Sequence, residues 1–226
     1  GDDIHLPKTS LICLENTHNR AGGAVLPLDY MREVHELAQS QHIPVHLDGA
    51  RLFNAAVALG VELKEVTQHV DTVQVCLSKG LSAPMGSILA GPKEWIQTAR
   101  KWRKRLGGGM RQAGFAAAPG IIALTRMVDR LQEDHENAKA LAQGLSSLEG
   151  IEVDVQAVET NIVLIETKAL GVKADDFILR MKESGILANA LGPYTIRLMT
   201  HREITAAHIE KTIRIVEQLT KVRGQW

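Results

Sequence analysis

A lysine followed by a glycine- and serine-rich segment is the residue of this chain best suited to covalent chemistry. Lys79 lies in the run SKGLSAPMGS, directly after the apolar segment VQVCL. If that segment is a buried strand, the lysine lies at the carboxyl edge of a sheet, where open α/β sheets bind their ligands. A deprotonated lysine amine there can attack a carbonyl carbon and form an imine. Gly/Ser-rich runs also occur as simple connecting turns, so the residue type alone leaves both interpretations open.

An aspartate ends a second apolar run. Asp48 follows IPVHL within the motif HLDGAR, one strand–helix–strand excursion before Lys79. It could cap a helix that starts near Ala50. On a strand next to the lysine, its carboxylate could instead pair with the ring nitrogen of pyridoxal phosphate, which keeps that nitrogen protonated and makes the ring an electron sink. The pairing of Asp48 with Lys79 favours the second interpretation for both residues.

The elements that would position these residues are short apolar runs alternating with amphipathic segments, a pattern typical of a parallel sheet flanked by helices. The predicted strands are Ser10–Glu15, Ile43–Leu47, Thr72–Leu77 and Gly86–Ala90. The predicted helices are Asp29–Gln39, Leu52–Leu59, Glu62–His69 and Pro92–Leu106. The fold class predicted for this part of the chain is therefore α/β.

A long helical pattern, Gly114–Leu148, with an expected break near Pro119, leads into a second pattern of elements. The strands predicted beyond it are Ile151–Val155, Asn161–Glu166, Ile186–Ala190 and Thr195–Thr200, with helices at Ala174–Ser184 and Thr205–Leu219. This order predicts a small α+β module with its own sheet. We therefore predict two domains, a partial large domain over residues 1–126 and a small domain over residues 127–226.

Composition narrows the kind of partner. Lys and Arg total 26 and Asp and Glu total 26, so no overall field attracts nucleic acid or an anionic membrane. The basic run RKWRKR, Arg100–Arg105, is interpreted as a solvated helix face, with an anion site at a subunit contact as the alternative. Cys13 and Cys76 lie in apolar runs, which predicts buried free thiols and a reducing compartment. No apolar stretch reaches the ~20 residues of a membrane span.

Five ordered segments resemble a known family, and two later segments, ETNIVLIET and TIRLMTH, resemble it more weakly. The five are LICLENTHN, VHLDGARLFNAA, CLSKGLSAPMGS, LGGGMRQAG and LQEDHENA. Together they resemble the threonine aldolases, low-specificity enzymes for L-threonine and L-allo-threonine that have the fold-type I architecture of pyridoxal-phosphate enzymes. The resemblance implies a carbon–carbon lyase that cleaves β-hydroxy amino acids to glycine and an aldehyde such as acetaldehyde.

The resemblance assigns roles to individual residues. Lys79 matches the lysine that holds the cofactor as a Schiff base, and Asp48 matches the partner of the pyridinium nitrogen. Arg51 and Arg197 match ligands of the substrate carboxylate, a task that suits the planar guanidinium group; Arg51 is also assigned to the cofactor site. Arg197 in a strand has the alternative of an ordinary exposed strand residue.

Three further assignments rest on the resemblance alone. His5, in DDIH, matches a histidine beside the substrate side chain, and a surface histidine is the alternative. Lys104 and Arg111 flank the GGG run and resemble residues that reach the cofactor phosphate of a neighbouring subunit. His18, in ENTHN, is a further candidate for the site, and the alternative is that it serves the backbone geometry of its loop.

The resemblance also sets expectations for the whole protein. Family members carry roughly one hundred upstream residues, about the size of a small domain, with a glycine-rich phosphate turn and a ring-stacking aromatic residue. We expect a homo-oligomer, most simply a tetramer built from dimers, with active sites shared between subunits. A cytoplasmic location is expected, with organellar targeting left open, and no metal, nucleic-acid or membrane partner is predicted.

Two rival interpretations of the function remain. One is another fold-type I enzyme, either an aminotransferase or a β-eliminating lyase, and the other is a catalytically inactive homologue.

Overall fold

A computed structural model describes His5 and residues 7–221. The contacts between residues divide the chain into two units. The first unit comprises the chain up to Thr17 together with Leu26–Val128. The second comprises His18–Val25 and the chain from Asp129 onward. The short segment His18–Val25 therefore belongs to a different unit from the residues on either side of it. No local sequence pattern predicts this assignment.

The first unit contains a four-stranded sheet in the order β1-β2-β3-β4. Its strands are β1 (Ile12–Glu15), β2 (Val45–Gly49), β3 (Thr72–Cys76) and β4 (Ser87–Ala90). The first three strands are parallel, and β4 is antiparallel to β3. Glu15, Asp48 and Gln74 are aligned across the parallel strands. The predicted α/β class is confirmed for this unit.

The described residues of the first unit form five α-helices. They are α1 (Leu28–Ser40), α2 (Leu52–Leu59), α3 (Leu63–Thr67), α4 (Lys93–Arg105) and α5 (Gly114–Arg126). Helix α1 buries Met31 and Ala38 on one face, as its amphipathic pattern predicts. A capping box between Glu62 and Glu65 starts α3, because each side chain accepts a backbone N–H that the helix leaves unpaired.

The second unit is a three-stranded antiparallel sheet covered by three helices. Its elements are α6 (Leu131–Ser146), β5 (Ile162–Glu166), α7 (Ala174–Glu183), β6 (Asn189–Ala190), β7 (Thr195–Met199) and α8 (Ala206–Lys221). The strand order is β5-β7-β6. Ile165 and Ile196 pack with Phe177, Met181 and Leu145 in a core that excludes solvent. The expected α+β module is present.

The segment His18–Val25 packs on the second unit's sheet. Thr160 Oγ1 donates to the Gly23 carbonyl at 2.9 Å, and the Val25 N–H donates to Glu159 Oε2 at 2.7 Å. A side chain at Gly23 would approach Thr160 and Ile162, and the Gly23 φ is +80°. Only glycine adopts that backbone conformation without strain while lying this close to β5.

The long helix predicted over Gly114–Leu148 is interrupted, but the expected position near Pro119 was wrong. Pro119 lies within α5, although a proline inside a helix removes one backbone hydrogen bond, and the chain leaves the helix between Arg126 and Leu131. Arg130 then folds over the first turn of α6, and its Nη2 lies 2.7 Å from Oδ1 of the fully buried Asp134. This partly buried ion pair stabilises the first turn of α6, which is a separate helix from α5.

Two strand predictions in the second unit were wrong or too long. Of Ile151–Val155, only Glu152 pairs, through an isolated bridge to Glu166. Asp154 Oδ1 accepts the N–H groups of Gln156 and Ala157 at 3.1 and 3.2 Å, so a side-chain-supported turn ends the pairing. Of Ile186–Ala190, only the last two residues form β6.

The cysteines differ from the prediction in their exposure. Both are free, but Cys13 is exposed and Cys76 is half-buried. Cys13 lies on β1, an edge strand of its sheet, and strand residues alternate between the two faces of a sheet. Within the described part of the chain, no helix is long and apolar enough to cross a membrane.

Candidate active site

Lys79 lies in a tight loop at the carboxyl end of β3. The Leu77 N–H donates to the Gly86 carbonyl at 2.9 Å, which extends the pairing towards β4. The Ser82 N–H donates to the Lys79 carbonyl at 2.8 Å, and the Ala83 N–H donates to the Leu77 carbonyl at 2.9 Å. These bonds fix the loop backbone from both sides, while the Lys79 side chain is exposed. The amine is therefore accessible to a ligand.

Asp48 occupies the corresponding position on the neighbouring strand. It lies one residue before the end of β2, and its side chain is exposed. Strands β2 and β3 are parallel neighbours, so the structure brings Asp48 and Lys79 to the same carboxyl edge of one sheet. The adjacent Gly49 is required there, because a Cβ atom would lie 2.8 Å from the Gln74 carbonyl oxygen on β3.

The capping interpretation of Asp48 is partly right. Asp48 Oδ1 accepts the Ala50 N–H at 3.0 Å, although α2 begins two residues later. A carboxylate has acceptor positions on both oxygens. One oxygen therefore stabilises the turn, and the other keeps its capacity to accept a proton donor such as a pyridinium nitrogen.

Arg51 follows on the same edge. It is the N-cap residue of α2, and its relative exposure is only 9%. Its backbone lies three residues after Asp48, between the end of β2 and the start of α2. A guanidinium group suits the bidentate binding of a carboxylate or phosphate.

The structure places the remaining predicted residues of the first unit on exposed surface. His5 is exposed, and its neighbours at positions 1–4 and 6 lie outside the described residues. Lys104 lies in the last turn of α4 and Arg111 follows the glycine run; both are exposed. The Gly108 N–H donates to the Arg103 carbonyl at 2.8 Å, so the glycine run folds back over the end of α4.

Arg197 belongs to the second unit. It lies in the middle of β7, opposite Leu164 of β5, and is half-buried. The Val163 and Ile165 side chains enter the helical core, so alternation places Leu164 and Arg197 on the other face of the sheet. Gly22 of the segment His18–Val25 approaches Leu164 on that face.

Asn19 is the residue that sequence reasoning missed. Arg197 Nη1 donates to Asn19 Oδ1 at 2.9 Å. Asn19 opens a short 3₁₀ helix, Asn19–Ala21, and His18 Nδ1 accepts the Ala21 N–H at 3.1 Å as its cap. The geometric role considered for His18 is thus observed. The only signal for Asn19 was its place in ENTHN, since a contact across 178 positions leaves no local pattern.

The fold, together with Asp48 and Lys79 at the carboxyl edge of the first sheet, defines a class of protein. The chain superimposes on the threonine aldolase of Leishmania major with a TM-score of 0.80 and 15% identity, over 96% of this chain and 63% of that one. A similarity this low in identity establishes the fold, which is that of fold-type I pyridoxal-phosphate enzymes. A lysine and an aspartate at the carboxyl edge of adjacent parallel strands agree with that class.

Sequence comparison identifies the family. The beta-eliminating lyase family matches residues 1–168, and the chain belongs to it. The low-specificity L-threonine aldolase of Escherichia coli K12 is 43% identical over 225 residues, covering 100% of this chain and 62% of that protein. The low-specificity L-threonine aldolase 1 of Arabidopsis thaliana is 43% identical over 213 residues, covering 94% and 60%. The chain therefore spans about three fifths of the length of these curated relatives.

The residues present fit the cofactor that this family membership implies, pyridoxal 5′-phosphate. The donor set supplies an accessible amine at Lys79 and an accessible carboxylate at Asp48 on one sheet edge. These are the two groups that the cofactor's aldehyde carbon and ring nitrogen require. The phosphate contacts assigned to Lys104 and Arg111 remain predictions.

Proposed function

We propose that the protein containing this chain is a pyridoxal-phosphate-dependent lyase that cleaves L-threonine and L-allo-threonine to glycine and acetaldehyde. The observation that carries the proposal is the placement of Lys79 and Asp48 at the carboxyl ends of adjacent parallel strands. The aldolase names of relatives that are 43% identical support the choice of substrate.

The proposal assigns tasks to Lys79, Asp48, Arg51, Arg197 and His5. Lys79 Nζ would hold the cofactor covalently, and Asp48 would keep the ring nitrogen protonated. When bound, pyridoxal phosphate supplies the sink for the electrons released at the substrate α-carbon. Arg51 and Arg197 would bind the substrate carboxylate through their guanidinium groups. His5 would orient the β-hydroxyl or accept its proton as the Cα–Cβ bond breaks.

Replacing the lysine tests the proposal directly. In the whole protein, Lys79→Ala should abolish the visible absorbance of covalently bound cofactor and nearly all threonine turnover. The matched control is Lys64→Ala, which removes a lysine from the exposed side of α3 in the same unit. The control should keep both signals. An unchanged cofactor spectrum in Lys79→Ala would refute the assignment of Lys79.

A second candidate reaction is β-elimination. The description of the matching family, beta-eliminating lyase, favours this reaction. Asp48 and Lys79 do not distinguish elimination from cleavage, because both reactions use these two residues. Incubation with threonine separates the two reactions by product: cleavage releases glycine and acetaldehyde, whereas elimination releases 2-oxobutyrate and ammonia. Formation of 2-oxobutyrate without glycine would replace the aldolase proposal.

We also propose a homo-oligomer with active sites shared between subunits, in a reducing compartment such as the cytoplasm. The oligomer proposal is supported by α4, which buries none of its residues within the described chain although it carries Trp95 and Trp102. In an oligomer, Lys104 and Arg111 would reach the cofactor phosphate of a neighbouring subunit. The two free cysteines support the reducing compartment.

A further inference from the structure

The segment His18–Val25 presents an asparagine to Arg197, and the roles proposed above leave that asparagine unused. Arg197 Nη1 donates to Asn19 Oδ1 at 2.9 Å. Within the described residues, the buried Nε of Arg197 has no hydrogen-bond partner. Asn19 is therefore the contact that fixes the orientation of this guanidinium group among the residues that the structure describes.

Orientation matters because a long arginine side chain has many rotamers. A guanidinium group binds a carboxylate well only when its planar fork faces both oxygens. One hydrogen bond at Nη1 restricts the rotation of the fork and leaves other N–H donors available. The cost of ordering the side chain is then met before the ligand binds, which raises the affinity for the ligand.

The chemical type of Asn19 fits this task. An amide oxygen accepts a hydrogen bond without neutralising the guanidinium charge, whereas a carboxylate at the same place would compete with an acidic ligand. The asparagine is itself held in place, since His18 caps its 3₁₀ helix and Thr160 donates to the Gly23 carbonyl. Gly22 and Gly23 allow the segment to lie directly on β5.

We propose that Asn19 is a positioning residue that orients Arg197 to bind the carboxylate of the amino-acid substrate. The proposal rests on the proposed function, which assigns Arg197 to that carboxylate. It extends the site to a residue 178 positions away in sequence, and it gives the ENTHN motif a role in substrate affinity.

The test compares two ligands that differ only at the carboxyl group. Glycine and glycinamide are titrated into the holoenzyme, and the change in cofactor absorbance gives each dissociation constant. Asn19→Ala should weaken glycine binding roughly tenfold, the scale of losing one hydrogen bond to a charged group. Binding of glycinamide should be unchanged. In turnover, the KM for threonine should rise more than kcat falls.

Asn137→Ala is the matched control. Asn137 also makes one side-chain hydrogen bond in the second unit, from Nδ2 to the Ile204 carbonyl at 3.0 Å, and it does not contact Arg197. This variant should keep the binding of both ligands. Asn19→Ser provides a second variant, because its short side chain cannot reach Arg197, and it should show the same glycine-specific loss.

The outcomes separate this proposal from the proposed function. Unchanged glycine binding in Asn19→Ala, or equal weakening of glycine and glycinamide, would overturn the positioning role. If Arg197→Gln itself leaves glycine binding unchanged, the assignment of Arg197 to the carboxylate fails instead. A glycine-specific loss in both Arg197→Gln and Asn19→Ala supports both.

Discussion

At the scale of single residues, Asp48 shows that a structural and a chemical task can share one carboxylate. Its Oδ1 stabilises the turn before α2 by accepting the Ala50 N–H. The residue lies in line with Glu15 and Gln74 across three strands, so its backbone position is fixed by the sheet. The chemistry assigned to it requires the charge, whereas the turn requires only an acceptor.

Asp48→Asn separates these two requirements. The amide oxygen can still accept the Ala50 N–H, so the melting temperature should be close to that of the wild type. Without the negative charge the ring nitrogen would not be kept protonated, and kcat should fall about a hundredfold or more, the scale of losing one electrostatic stabiliser. Steady-state kinetics and thermal unfolding measure the two effects. A kcat within a factor of a few of wild type would contradict the role of Asp48.

His5 makes a prediction about selectivity. If it contacts the β-hydroxyl, His5→Ala should change the ratio of kcat/KM for L-threonine to that for L-allo-threonine, because the two substrates differ only in configuration at that carbon. Cofactor binding, measured by absorbance, should stay the same. Equal losses for both isomers would show that His5 does not distinguish the β-carbon.

At the scale of helices and strands, the periodicity of apolar residues was sufficient to place most elements. The prediction for α2, Leu52–Leu59, matches the structure, because burial and the following glycine both mark its limits. Periodicity failed at Ile151–Val155, where Asp154 draws the backbone into a turn. The Lys79 and Asp48 positions could be predicted from strand ends. The contact between Asn19 and Arg197 could not, since it depends on tertiary folding.

Helix α6 makes stability depend on pH. Burial lowers the pKa of His135, and the nearby Asp134 and Glu136 only partly oppose this. The unfolded chain therefore binds a proton more readily than the folded one, so stability is complete above the ordinary histidine pKa of about 6.5 and decreases as pH falls below it. Denaturant midpoints at high and low pH should show the decrease. His135→Gln should reduce the decrease, and an equal decrease in His135→Gln and the wild type would contradict the role of His135.

The crossing of α6 and α8 depends on a glycine. A Cβ atom at Gly144 would lie 2.8 Å from Cγ1 of Ile213 and closer still to its Cδ1. Because β-branched side chains have few alternative rotamers, Gly144→Ala should lower the free energy of unfolding by about 1–3 kcal/mol relative to a Gly→Ala change without contacts. Gly114→Ala in α5 is that reference, since nothing lies within 4 Å of its added Cβ. Equal denaturation curves for the two variants would contradict this packing.

At the scale of the whole molecule, the second unit includes the segment His18–Val25, whose sequence neighbours on both sides belong to the first unit. The chain leaves the first unit after Thr17 and returns at Leu26. Asn16 closes the base of this excursion, because its Oδ1 accepts the Leu26 N–H at 3.2 Å. The second unit is therefore assembled from two stretches of sequence. Some of its hydrogen bonds, such as the one from Thr160 to the Gly23 carbonyl, join one stretch to the other.

Gly23→Ala tests how much the second unit depends on this segment. The substitution combines strain at φ +80° with a contact to Thr160 Oγ1 at 2.5 Å. Gly171→Ala has a similar φ of +71° with no atom within 4 Å, so it measures the strain alone. Gly23→Ala should be less stable than Gly171→Ala by about 1–3 kcal/mol, as measured by chemical denaturation. Equal stabilities would show that the segment moves aside at little cost.

The segment His18–Val25 also constrains the order of events during folding. Its hydrogen bonds span 134, 137 and 178 positions, whereas paired residues of the parallel strands, such as Ile12 with Val45 and His46 with Thr72, are 33 and 26 positions apart. Loop closure over such distances is slow. During synthesis, residues 18–25 leave the ribosome long before β5 and β7, so Arg197 can acquire its partner Asn19 only after β7 has been made.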